Sequence, residues 1–205
     1  MIYDSIPWRQ ELGRIARRLE RKSRQAHWNE RSSFLVERSF MDAGFAIRRL
    51  LEARKLADSL AASRIKVTRY PRKGSIPDFY TRDDIDEHYD LDGGVKDQIT
   101  LTHLANQLIH SYVWVLSFDG ESEEDEGDGE GHFIGVFLAS EKERQKHVYF
   151  LPAGSLIAIC RTIAVEDVVG VEMRRDEAGL LQVTRVISST DPESEYEKLS
   201  RRTTR

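Results

Sequence analysis

The chain is poor in the features that mark disulfide-stapled and membrane-spanning proteins. It has a single cysteine, Cys160, among 205 residues, so no internal disulfide can form. No apolar run approaches the roughly 20 residues that are needed to cross a bilayer. The first residues, MIYDSIPWRQEL, lack the basic-then-apolar pattern of a secretory signal. We therefore expect a cytoplasmic protein with no membrane partner.

Several catalytic signatures are also absent. The sequence contains no GxGxxG, no GxxxxGK followed by Ser or Thr, no HExxH, no GxSxG and no CxxC. Cys160 lies in an apolar segment, where a core position is more typical than a nucleophile. We therefore expect no cofactor and no metal ion.

Two acidic segments contain residue types that could bind a metal ion, contrary to that expectation. The run DGESEEDEGDGEG, residues 119–131, is rich in carboxylates, but Glu124 occupies the position at which a calcium loop of the EF-hand type needs glycine. DEHYDLD, residues 86–92, places His88 among four acids, which are suitable ligand types for a metal-dependent hydrolase. We interpret both as solvated loops, because neither spacing matches a known site.

The net charge of −4 conceals an asymmetry along the chain. Residues 1–73 hold 18 Lys or Arg and 8 Asp or Glu, whereas the rest holds 13 and 27. A basic N-terminal third is suited to attract a polyanion such as RNA. The alternative is that it neutralises the acidic remainder, within one fold or across a dimer.

Apolar spacing predicts three helices in the first half of the chain. They are 8–26, 30–62 with a break near Gly44, and 97–111. The apolar face of the second helix is expected to consist of Phe34, Met41, Phe45, Leu51, Leu56 and Leu60. Small residues around Gly44 would allow another helix to approach closely. Residues 63–96 are expected to be irregular, with RIKVTRYP as a short extended piece.

The second half of the chain has the alternation of β-strands. A strand is predicted at 112–118, followed by two hairpins and, between them, one helix that is capped by Ser155. The hairpin strands are HFIGVFLAS with HVYFLP, and VGVEMRRD with LLQVTRVIS around Gly179.

Helices first and strands later favour the α+β class. We expect an N-terminal antiparallel helical bundle, residues 1–111, with a C-terminal antiparallel β-sheet carrying one further helix, residues 112–189. Residues 190–205 are polar and are expected to form a disordered tail.

The segment LTHLANQLIH, residues 101–110, carries the candidate chemistry. Asn106 and His110 are four residues apart, so a helix places them on one face, with His103 one turn before Asn106. An amide beside an imidazole can orient it, and the imidazole can then move a proton near neutral pH. The alternative is that His110 is a partly buried residue bonded to a neighbouring helix.

Ala105-Asn106-Gln107-Leu108-Ile109-His110 resembles the motif of HEPN domains, helical bundles of prokaryotic toxin and antiphage ribonucleases. The motif is an arginine, a polar residue that is often asparagine, a few residues and a histidine. Asn106 and His110 match it, whereas Ala105 stands at the arginine position. Over residues 8–118, the resemblance implies a metal-independent endoribonuclease, usually dimeric, with His110 and Asn106 as its catalytic residues.

The second helix can supply the missing cation through IRRLLEARK. Arg48 and Glu52 are four residues apart and can pair, and Arg49 is adjacent. If this face meets Asn106 and His110, a guanidinium can bind phosphate while His110 moves protons. We therefore predict Arg48, Arg49, Glu52 and His103 as substrate-binding residues, although a solvated ion pair is the alternative.

Two main functions remain open at this stage, besides the metal-dependent hydrolase that would use His88 and the acids around it. The first is an RNA-directed, HEPN-like ribonuclease of a toxin or antiphage defence system. The second is a non-catalytic interaction module that dimerises or binds a protein partner, which Ala105 at the motif's arginine position favours.

Overall fold

The computed structural model describes residues 4–119, 131–189 and 191, and it has the α+β architecture expected from the sequence. Within these residues, five antiparallel strands form one sheet in the order β2-β1-β5-β4-β3, and two strands form a separate hairpin. The strands are β1 Arg64–Pro71, β2 Val95–Thr100, β3 Ser111–Asp119, β4 His132–Ser140, β5 His147–Pro152, β6 Val168–Arg175 and β7 Leu181–Ser188. The helices are α1 Ile6–Lys22, α2 Glu30–Glu52, α3 Asp58–Ala61, α4 Ile85–His88, α5 Leu101–Ile109 and α6 Ala153–Val165.

Helices α1 and α2 run antiparallel, as the ends of each helix show. The Trp8 ring, near the start of α1, lies 5.8 Å from the ring of Phe45. At the other end, Lys22 Nζ donates to Ser32 Oγ over 2.9 Å. Leu12, Ile15 and Leu19, which are spaced three or four residues apart on α1, are buried because α1 packs against both α2 and α6.

Helix α2 differs from its prediction in length and in its buried face. It continues through Gly44 without a break and ends at Glu52, where Arg54 adopts a left-handed backbone with φ of 53°. Phe34, Met41 and Phe45 are exposed, with 56%, 45% and 50% of their surfaces accessible. The buried face consists of other apolar and small residues, among them Val36, Phe40, Ala43, Ile47 and Leu50. The prediction was wrong because both faces carry large apolar residues.

The segment 63–96 is more regular than its composition indicates. Strands β1 and β2 pair with each other, and β1 also pairs with β5. The sheet therefore takes strands from both sides of residue 111, and the division of the chain there stays a prediction. Residues 97–100 belong to β2, and the third helix starts at Leu101, where the Thr100 hydroxyl accepts a hydrogen bond from the amide of His103 over 3.1 Å.

The second half of the chain largely agrees with the sequence. Strand β3 and both predicted hairpins are present, and Gly179 has the positive φ of 80° that its turn needs. Helix α6 begins earlier than predicted, after Pro152, and Ser155 lies inside it instead of capping it. Residues 120–130 of the predicted calcium-like loop and all but one residue of the predicted tail lie outside the described residues.

The main core lies between the helices and one face of the sheet. It buries Leu101, Leu104, Ala105 and Leu108 of α5 against residues of α1, α2, α6 and the central strands. In the part of the chain that the structure describes, no helix has both the length and the apolar character that a membrane span needs.

Candidate functional site

Helix α5 is held unusually close to α2, because Gly44 has no side chain at their contact. A Cβ built on Gly44 would lie 2.7 Å from the Cβ of Leu108 and 3.3 Å from the carbonyl oxygen of Ala105. Such a separation is far below a normal van der Waals contact, so only glycine allows this approach. The expected close packing around Gly44 is therefore present, and it places the next turn of α2 beside the end of α5.

Arg48 lies on that next turn of α2 and reaches both Asn106 of α5 and His110 at the C-terminal cap of α5. Its Nη1 donates to Asn106 Oδ1 over a long 3.5 Å and lies 3.4 Å from His110 Nε2. His110 is the residue that caps the end of α5, and its amide donates to the Asn106 carbonyl over 3.0 Å. One guanidinium thus bridges a carboxamide and an imidazole that are one helical turn apart.

Glu52 holds the other side of the Arg48 guanidinium. Its Oε1 accepts from Arg48 Nε over 2.8 Å, and its Oε2 lies 3.3 Å from Arg49 Nη1. The hydrogen bond from Arg48, followed by the positive charges of Arg48 and Arg49, lowers the pKa of Glu52. Glu52 therefore stays ionised and orients Arg48 towards α5.

Arg48, Asn106 and His110 border an open pocket of about 910 Å³, which we call the Arg48 pocket, whereas Glu52 lines a different pocket beside the hairpin β6–β7. The Arg48 pocket is lined by Arg48, Asn106 and His110, together with residues from the start of β3 and from the β4–β5 connection, chiefly Tyr112, Glu141, Lys142 and Gln145. His110 is exposed and Asn106 is half-buried, so both can meet a ligand.

The β4–β5 side of the pocket was not anticipated from the sequence. Ser140 at the end of β4 is paired with Ser111, and its amide donates to Oε1 of the buried Gln107 over 2.8 Å. This anchor carries Glu141 and Lys142 to the pocket from more than 30 residues away along the chain. The sequence predicted the hairpin of β4 and β5. It did not predict that β4 pairs with Ser111, because that pairing joins residues far apart in the chain.

Two other predicted substrate-binding residues lie elsewhere. The His103 ring contacts the Tyr149 ring edge-on with centroids 5.7 Å apart, and its Nε2 is 3.4 Å from Gln107 Nε2. Arg49 pairs with Glu52 but lines a different pocket beside the hairpin β6–β7. The structure therefore brings together Arg48, Asn106 and His110, while His103 and Arg49 remain outside the Arg48 pocket.

Ala105, at the arginine position of the HEPN motif, is completely buried. Its carbonyl oxygen is among the atoms nearest to the Cβ position of Gly44, so it belongs to the contact between α2 and α5. A long cationic side chain at residue 105 would have to displace that contact. The guanidinium near His110 comes from α2 instead.

Of the two acidic segments, only the one around His88 lies within the described residues. His88 is buried, and its Nδ1 donates to the carbonyl oxygen of Ser75 over 2.9 Å. Across residues 4–119, 131–189 and 191, no group of three or more His, Cys, Asp or Glu is arranged to hold a metal ion.

No protein-family model, curated protein or solved structure matches the chain.

Proposed function

We propose that the chain binds RNA at the Arg48 pocket and cleaves it as a metal-independent endoribonuclease of a HEPN-like type. The observation that carries this proposal is the contact of the Arg48 guanidinium with both Asn106 and His110 in an open pocket. Arginine binds phosphate oxygens through paired N–H groups, and histidine transfers protons near neutral pH. The HEPN-like resemblance itself stays a prediction, since residues 8–118 contain strands as well as helices.

The reaction uses the 2′-hydroxyl of RNA as the nucleophile. His110 accepts the 2′-hydroxyl proton while the 2′-oxygen bonds to phosphorus and the bond from phosphorus to the 5′-oxygen breaks. The leaving 5′-oxygen takes a proton from water, and the imidazolium of His110 returns its proton to the hydroxide that forms. The products are a 2′,3′-cyclic phosphate and a 5′-hydroxyl. Arg48 and Lys142 stabilise the negative charge on the phosphoryl oxygens, and Asn106 positions the imidazole.

The test is cleavage of a labelled single-stranded RNA in the presence of EDTA. We expect His110→Ala to slow cleavage by about 100- to 10,000-fold, the usual contribution of a general acid or base. His27→Ala is the matched control, because His27 is exposed on the α1–α2 connection. Arg48→Lys keeps the charge but loses the paired N–H groups, so it should also cut slowly. The same oligonucleotide made of DNA should survive. Equal cleavage by the wild type and His110→Ala would reject the catalytic proposal.

A non-catalytic interaction module is the second candidate, and the exposed stripe of α2 favours it. Phe34, Met41 and Phe45 project from one face of α2 at helical spacing, about half exposed. In this reading a second copy of the chain covers the stripe. Light scattering after gel filtration tests it: the wild type should be a dimer and Phe34→Lys/Phe45→Lys a monomer. A monomeric wild type at all concentrations would exclude the second copy.

A further inference from the structure

A second pocket, here called the hairpin pocket, lies between the hairpin β6–β7 and the region where α1 begins and α2 ends. Its volume is about 1000 Å³, within the range of small-molecule sites. The hairpin is fixed at one end, where the Val186 side chain is buried and its amide donates to Asp58 Oδ2 over 3.2 Å. The other end of the hairpin extends beside the pocket.

One wall of the hairpin pocket is apolar. Val171, Met173, Leu181 and Val183 line it from the two strands, and Met173 is directly paired with Val183 across the ladder. Met173 and Leu181 are 51% and 57% exposed, although neighbouring strands usually bury such side chains. The ribbon thus offers an uncovered apolar surface to a ligand with an apolar body.

The facing wall is cationic. The charged side chains that line it are four cations and one carboxylate: Arg9, Arg49, Arg54, Lys55 and Glu52. Arg49 pairs with Glu52, and Arg54 Nη2 lies 3.1 Å from Asp58 Oδ1. Because these ion pairs are partly exposed, each contributes little free energy, and a ligand carboxylate can replace Glu52 or Asp58 as the partner of the arginine. Arg9 is buried and is fixed by hydrogen bonds to the carbonyl oxygens of Glu166 and Lys55, which keeps its positive charge beside the pocket.

We propose that the hairpin pocket binds an amphiphilic organic carboxylate, with its apolar body on the β6–β7 ribbon and its carboxylate at Arg49, Arg54 and Lys55. Arg9, Arg49 and Arg54 are paired with Glu166, Glu52 and Asp58, so four cations meet three carboxylates and one positive charge is left in excess for an anion. The apolar side chains of the β6–β7 ribbon suit an alkyl chain. None of the residues that line the Arg48 pocket lines the hairpin pocket. Glu52 connects the two sites, because it lines the hairpin pocket and also accepts from Arg48 Nε over 2.8 Å. Binding of the carboxylate does not itself require RNA cleavage.

The probe is laurate below its micelle concentration, and the readout is the spectrum of isotope-labelled methionine methyl groups. The chain has three methionines, of which Met173 lines the hairpin pocket and Met41 lies on α2. Laurate should shift the Met173 methyl signal saturably and leave the Met41 signal in place. Dodecanol, which has the same chain and no charge, should bind at least about tenfold more weakly if the cations contribute as charge-assisted partners.

Two pairs of matched variants test the contribution of each wall to the affinity for laurate, which is measured by calorimetry. Arg54→Ala should weaken laurate binding about fivefold or more, whereas Arg14→Ala, which removes a similar exposed pair with Glu11, should not. Leu181→Ser should weaken it, whereas Val169→Ser, on the same hairpin but outside the pocket lining, should not. The proposal is overturned if laurate leaves the Met173 signal unmoved, if dodecanol binds equally well, or if the pocket variants match their controls in laurate affinity.

Discussion

Replacing Gly44 by alanine is the sharpest test of how α2 and α5 are packed. The new methyl group would lie 2.7 Å from Leu108 Cβ, so the backbones must separate by about 1 Å to restore a normal contact. Overpacking of this kind costs about 1–3 kcal/mol, whereas alanine gains about 1 kcal/mol over glycine in helix propensity. We therefore expect the free energy of unfolding to fall by up to about 2 kcal/mol.

Gly154→Ala is the matched control. Gly154 also lies in a helix, but a Cβ built there meets no atom within 4 Å. This substitution should leave stability unchanged or raise it by up to about 1 kcal/mol. The decisive quantity is the difference between the two variants, about 1–3 kcal/mol, measured by urea unfolding at constant m-value. Equal stability of the two variants would refute the close contact between α2 and α5.

The same substitution should also disturb the Arg48 pocket. The contact at Gly44 is with a Cβ atom, which every residue except glycine carries, so no ordinary exchange at Leu108 can make room. The movement must then be taken up by the backbone of α5, which carries Asn106 and His110. We expect Gly44→Ala to slow RNA cleavage while Gly154→Ala leaves it unchanged.

Three further predictions concern stability and reactivity. Asn29 Oδ1 accepts from the Ser32 amide over 2.9 Å at the start of α2, so Asn29→Ala should cost about 0.5–2 kcal/mol by urea unfolding, and Asn29→Asp much less; equal losses would contradict the cap. Burial raises the pKa of the Cys160 thiol to about 12, so a thiol reagent at mildly alkaline pH should label only the unfolded chain; rapid labelling of the folded chain would contradict that burial. Burial lowers the pKa of His147, so when pH falls from about 7 to about 5 the unfolded chain binds the proton first and the folded state loses stability. His147→Gln should flatten that pH dependence, and an unchanged slope would assign it to other groups.

The parts of the fold that were predicted correctly have strong local patterns. Strands β4 and β5 were found at their observed bounds because alternation and turn residues both mark them. Strand β2, by contrast, was missed because VKDQIT buries only Ile99 on the outermost strand of the sheet. Strand β2 is held in the sheet by its backbone pairing with β1. Its sequence therefore does not need the alternation of apolar and polar residues by which a strand is recognised.

The end of α2 was also beyond the local pattern. No glycine or proline stands at the stop, and a non-glycine residue, Arg54, takes the left-handed conformation. The exposed and buried faces of α2 were exchanged in part because Phe34 and Phe40 are equally apolar. Phe40 faces the core because its ring packs against the rings of Trp114 in β3 and Phe133 in β4, contacts that no pattern within α2 predicts.

The candidate site was predicted to the extent that it follows helical spacing. Arg48 with Glu52, and Asn106 with His110, are pairs at i and i+4, and each pair shares a face as expected. That the two pairs meet depends on Gly44, whose small size was visible in the sequence. Lys142 reaches the Arg48 pocket only through the pairing of β3 with β4, so no spacing rule could reveal it.

Helix α5 joins the two outermost strands of the five-stranded sheet, since it follows β2 directly and leads directly into β3. Its nine residues span about 13.5 Å, whereas four gaps between strands amount to about 19 Å in a flat sheet. Because the helix is shorter than the width of a flat five-stranded sheet, α5 and its two junctions hold the outer strands closer together than a flat sheet would. They therefore oppose any flattening of the sheet. A ligand that changes the twist of the outer strands would consequently turn His110 on its junction without touching it.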